Sequence, residues 1–124
     1  MANVDFLKES YLNSLEERKK ELRLSIEKLQ DEERRDEANL DKIRLNVVDI
    51  FSKMFNLSKS DDPKILKEKY LGYFEKITSP WYDNREKALR FGKEKEAIIE
   101  EIKIKEVEEL KDRFNSCYSS MNNE

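Results

Sequence analysis

Two groups of carboxylates come closest to a chemical signature in this chain of 124 residues. Glu32, Glu33, Asp36 and Glu37 stand one helical turn apart, and their oxygens suit Mg²⁺ or Ca²⁺; Asp61 and Asp62 directly precede Pro63. A cation site needs ligands converging from several elements, and one helix face supplies too few. The first group therefore reads as a solvated polar patch that helps set helix register. The second reads as a helix start, because a carboxylate accepts from the free N–H groups of a first turn and proline fits the first helical position without losing a bond. No metal, cofactor or catalytic residue is assigned.

The absence of histidine excludes more than any motif includes. No Ser-His or Cys-His pair, no Glu-x-x-His ligand set and no ordinary catalytic zinc site can be assembled. The two glycines, Gly72 and Gly92, are too far apart to form a phosphate-cradling loop or a dinucleotide fingerprint. The chain is not expected to be an enzyme or to bind a small-molecule substrate. Gly92 is expected inside a helix, where it marks close approach of a facing helix.

In having paired acids near a helical-hairpin tip, the chain resembles the transcript-cleavage factors that enter the secondary channel of RNA polymerase, whose acids help hold a catalytic metal. It resembles them in Asp61 and Asp62 only, and lacks their second globular domain. Helical-hairpin secretion partners carry a Trp-x-Gly turn; here the turn reads Trp81-Tyr82-Asp83. The basic residues Arg85, Lys87, Arg90, Lys93 and Lys95 are interleaved with Glu86, Glu94 and Glu96 and have no series of stacking aromatics, so nucleic-acid binding is a distant third reading.

The elements that carry these residues are helical. Charged residues make up 43% of the chain and hydrophobic ones 37%, and two prolines interrupt it, a composition of long helices with narrow apolar seams. With Leu12 as the first seam position, Leu15, Leu22, Ile26, Leu29, Leu40, Ile43, Val47, Ile50, Met54 and Leu57 follow in three- and four-residue steps, broken by Lys19, Glu33 and Asp36. The register predicts a continuous helix over about 5–57, roughly 80 Å long at 1.5 Å per residue. A bend within 31–37, which lacks any apolar residue, is the alternative.

Asp62-Pro63 starts a short second helix over about 63–78. Ser79-Pro80 repeats the device and starts a third over about 81–118, after which the tail frays. The expected fold is all-α: an elongated antiparallel hairpin, coiled-coil-like, with a short third helix at its closed end, in a single domain spanning 1–124. Phe51, Phe55, Tyr70, Tyr73, Phe74, Trp81 and Tyr82 are expected to pack where three helices meet.

This geometry leaves the N-terminal end of helix 1 overhanging, with Phe6, Leu7, Tyr11, Leu12 and Leu15 exposed to water. Phe6, Tyr11, Leu12 and Leu15, with Trp81 and Tyr82 at the hairpin tip, are the candidate partner interface. The chain is expected to be a non-catalytic interaction or scaffold module, a homodimer or a permanent complex with one protein partner. The alternative is a small accessory protein, such as an immunity factor, inhibitor or secretion chaperone, for one cognate protein. The lone Cys117 fits a reducing, cytoplasmic compartment, no apolar run suits a membrane, and Asp5 and Glu9 interrupt any secretory signal.

Overall fold

In the computed structural model, which describes residues 4–122, four helices follow one another: α1 (Val4–Asp31), α2 (Arg35–Leu57), α3 (Pro63–Arg90) and α4 (Glu94–Asn122). The chain is all-α, as its composition predicts. The helices differ from those expected, and each difference has a local cause.

The predicted 5–57 helix breaks at 32–34. The Arg34 N–H donates to the Leu29 carbonyl (2.8 Å) and the Glu33 N–H to the Gln30 carbonyl (3.0 Å). This is the Schellman pattern that ends a helix, and Glu33 takes the left-handed conformation at φ 60°. Continuity fails because Asp31–Glu37 is exposed throughout, so no packing opposes the turn there.

Conversely, the helix starting at Pro63 does not stop at Thr78. It runs on through Pro80, giving 28 residues where a short helix was expected. Proline forfeits one backbone bond within a helix. Here α3 is held on both sides of it, by Phe74 and Thr78 before and by Trp81 and Ala88 after. The break comes instead at Gly92 (φ 69°), where the Lys93 N–H donates to the Ala88 carbonyl at 2.7 Å. Gly92 is thus a helix terminator, and its absent side chain makes room for no neighbour. The predicted fraying from Ser119 is also corrected: α4 continues to Asn122 and Met121 is fully buried. Asn123 and Glu124 lie outside the described residues. Asp62 caps α3, its Oδ1 accepting from the Lys64 N–H at 2.9 Å.

Each tight turn makes an antiparallel hairpin, α1 with α2 and α3 with α4. Tyr11 of α1 meets Leu110 and Phe114 of α4, and Arg18 meets Glu106, so α4 runs antiparallel to α1. The helices therefore alternate up-down-up-down, and both tips, 32–34 and 91–93, lie at the same end of the bundle.

The two hairpins are equivalent. Leu-Lys-Glu-x-Tyr-Leu occurs at 7–12 and again at 66–71. Tyr11 and Tyr70 are 59 residues apart. The same interval relates the helix starts Val4 and Pro63, Arg35 and Glu94, the left-handed residues Glu33 and Gly92, and the buried pairs Leu7/Leu66, Ala38/Ala97, Val48/Val107 and Phe55/Phe114.

Their side chains obey the same relation across a pseudo-twofold axis. Tyr11, Phe55, Tyr70 and Phe114 form an aromatic box at the end opposite the tips. Tyr11–Phe55 (4.8 Å) mirrors Tyr70–Phe114 (5.1 Å), and Tyr11–Phe114 mirrors Phe55–Tyr70, both at 5.2 Å and edge to face.

This arrangement corrects the predicted overhang. Leu7, Tyr11 and Leu15 are fully buried inside the chain's own bundle, with Phe6 and Leu12 partly buried against it, because α4 returns along α1. Among the described residues, no helix is long and apolar enough to cross a membrane.

Candidate partner-binding surface

The structure separates the six residues of the predicted interface. Tyr11 and Leu15 belong to the core, and Phe6 and Leu12 line its edge. Trp81 is half-buried near Phe51 (centroids 6.4 Å apart), with the Lys103 ammonium 5.4 Å from its ring centre. Tyr82, next in sequence and about 100° further round α3, is exposed beneath the Arg85 guanidinium at 5.4 Å. Of the predicted aromatic cluster, Phe51, Phe55, Tyr70 and Phe74 are buried.

Equivalent positions of the two hairpins diverge in their clefts and at their tips, and also at exposed Leu24 and Leu57, whose equivalents are Asp83 and Ser116. The first divergence is in a pair of related clefts between the hairpins. One, about 370 Å³, is lined by Ile43, Val47, Ile50 and Trp81 with Lys42 and Lys103 at its rim. Its twin, about 450 Å³, is lined by Ile102, Glu106, Glu109, Arg44 and Arg18. Val47 and Glu106 are equivalent, as are Ile50 and Glu109.

In the charged cleft Arg18 donates to both oxygens of Glu106, at 2.9 and 2.8 Å, and Glu106 is only 3% exposed. Those hydrogen bonds hold the guanidinium above its ordinary pKa. One cleft is thus lined by an ion pair whose carboxylate is buried, and the other mainly by apolar side chains.

The acids along the hairpins diverge as well. Asp41 accepts from Ser25 and pairs with Arg44 at 2.6 Å. Its equivalent Glu100 pairs with Lys103 at 3.2 Å, and its second oxygen, Oε2, is buried without a hydrogen-bond partner. Sequence reading passed over Asp41, Glu100 and Glu106. The signal for Glu106 was present: it interrupts the four-residue series Ile102, Leu110, Phe114.

The second divergence is at the tips. The α3–α4 tip exposes Leu89 (57%), Phe91 (71%) and Ile98 (50%). The equivalent residues of the α1–α2 tip are Gln30, Glu32 and Asn39. Phe91 also walls a cleft of about 490 Å³ with Ala88, Ile99, Lys87, Lys93 and Glu100. The basic run of the sequence falls around this turn, where Lys87, Lys93 and Lys95 are exposed and, among the described residues, form no ion pair.

The acidic run forms the other tip. Arg34 pairs there with Glu32 and Glu37, and no group of three or more acidic or cysteine side chains among the described residues converges on a possible ion position. No protein family, curated protein or solved structure matches this chain.

Proposed function

We propose that the protein is a non-catalytic helical interaction module that docks a protein partner on the α3–α4 tip. The observation that carries this reading is the exposure of Leu89, Phe91 and Ile98 at positions where the equivalent hairpin has Gln30, Glu32 and Asn39. Both tips have the same backbone turn and need no apolar side chain to form it. Large apolar side chains that the turn does not require, exposed at one tip where the other is polar, favour a surface that something else covers.

The absence of histidine and of nucleotide-binding loops supports a role without catalysis. Half-buried Cys117, the lone cysteine, supports a reducing, cytoplasmic setting. The core drawn from all four helices supports action as one folding unit.

Photo-crosslinking in host cells tests the reading. A photoreactive residue at position 91 is expected to give one predominant protein adduct, while the same residue at exposed Lys53, on the last turns of α2 near the opposite end, gives none. Equal labelling from both positions, or none from either, would falsify it.

A further inference from the structure

The tips differ in charge as well as in polarity. At the α1–α2 tip Asp31, Glu33 and Asp36 are exposed and, among the described residues, form no ion pair. At the α3–α4 tip the same is true of Lys87, Lys93 and Lys95 and of Glu94 and Glu96, and Lys87 and Lys93 have the basic equivalents Lys28 and Arg34. Asp31 and Asp36 have the basic equivalents Arg90 and Lys95, while Arg35 and Glu94 exchange charge the other way, so the net charge is negative over 31–37 and positive over 90–96. Since the helices alternate in direction, an acidic tip and a basic, apolar tip stand side by side at one end of every molecule.

A second copy placed end to end, and related by a twofold axis perpendicular to the bundle, can align in two ways. One sets like tip against like, which opposes equal charges. The other sets each basic tip on the acidic tip of its neighbour, twice over by symmetry. The acidic tip can also receive the apolar residues, through a cleft of about 400 Å³ lined by Ala38, Gln30, Asn39 and Arg35. The Arg35 guanidinium has no ion pair among the described residues and suits the face of an aromatic ring such as Phe91.

We propose that the protein forms a head-to-head, twofold dimer in which the α3–α4 tip of each copy, led by Phe91, seats on the acidic α1–α2 tip of the other. This rests on the reading of the α3–α4 tip as a docking surface and names its occupant as a second copy of the chain. Opposite charge aligns the copies, and the apolar residues hold them.

Sedimentation velocity on the full-length chain, from low to high micromolar concentration, tests it. The wild type is expected to dimerise, more weakly as salt is raised. Phe91→Asp is expected to lose the dimer. So are the charge reversals Asp31→Lys with Asp36→Lys, and Lys93→Glu with Lys95→Glu, each weakening self-association at least about tenfold.

Because all four reversed residues are exposed, a mixture of the two reversed proteins is expected to recover a one-to-one heterodimer. That recovery also excludes misfolding as the cause of the losses. A wild type that stays monomeric overturns the proposal. So does an acidic-tip reversal that still self-associates, since like tips would then be meeting, or a mixture that fails to pair. If the wild type is monomeric and position 91 crosslinks to a different protein, self-association falls while the docking function stands.

Discussion

The hydroxyls of Tyr11 and Tyr70 meet 2.6 Å apart at equivalent positions of the two hairpins, and each also faces a carbonyl of the opposite hairpin. Tyr11 lies 3.4 Å from the Leu110 oxygen and Tyr70 lies 3.2 Å from the Phe51 oxygen. Two protons serve three contacts, so one tyrosine donates to the other, which donates to its carbonyl. The shorter carbonyl contact favours the order Tyr11 to Tyr70 to Phe51. Tyr70→Phe is therefore expected to cost about 1–2 kcal/mol and Tyr11→Phe about 1 kcal/mol. The double variant should cost less than the two together. Urea unfolding of the three variants checks this, and equal, additive losses would remove the directed chain.

Burial raises the pKa of both tyrosines above the usual phenol value of 10.0, and for Tyr70 the neighbouring Tyr11 raises it further. In the unfolded chain both ionise near pH 10, while in the bundle they keep their protons. The stability they contribute is thus complete below about pH 10 and falls as pH rises above it. Thermal melts should show alkaline destabilisation setting in there. A Tyr11→Phe, Tyr70→Phe double variant should show a shallower fall, and an unchanged slope would count against the buried pair as its source.

Arg18 and Glu106 occupy positions where the other hairpin pair has Ile77 and Val47, both within or against the apolar core. Arg18→Ile alone leaves a carboxylate buried without its cation and is expected to destabilise by about 3–5 kcal/mol. Adding Glu106→Val copies the solution the protein uses at the equivalent place. The double variant is expected to fall within about 1 kcal/mol of wild type. Denaturant titration decides, and a double variant as unstable as the single one would mean that the two sites are not interchangeable.

Glu33 and Gly92 hold the same left-handed turn position with unequal ease. Glu33→Gly is expected to stabilise by about 0.5–1 kcal/mol, because a side chain in this conformation is strained and glycine is not. Gly92→Ala meets no atom within 4 Å, so its expected cost of about 1 kcal/mol comes from the backbone alone. Shifts of the same sign in both variants would show that something other than backbone conformation governs the tips.

Helical periodicity made the fold class legible, because a seam of leucine and isoleucine identifies a helix whatever it packs against. It misplaced the ends for an equally physical reason. The seam register from Leu12 runs unbroken past Asp31, since a Schellman turn leaves little mark on apolar spacing when its left-handed residue is glutamate. Ser79-Pro80 reads as a start signal although the flanking contacts of Phe74 and Trp81 override it. A first helix extended to Leu57 leaves Tyr11 and Leu15 without a neighbour, which makes core residues look like an interface. The Leu-Lys-Glu-x-Tyr-Leu repeat was the available corrective, because it equates α1 with a helix that begins at Pro63. Which tip is apolar can also be read by aligning the repeats, although the exposure of Leu89, Phe91 and Ile98 requires the fold.

The near-equivalence of the hairpins bears on assembly during synthesis. Every molecule carries the same α3–α4 face for α1 and α2, and the segment 58–62 favours pairing within one chain by keeping the second hairpin at high effective concentration. Stiffening or shortening that tether would hand the advantage to reciprocal exchange, in which two chains trade halves and rebuild both tyrosine boxes from mixed parentage.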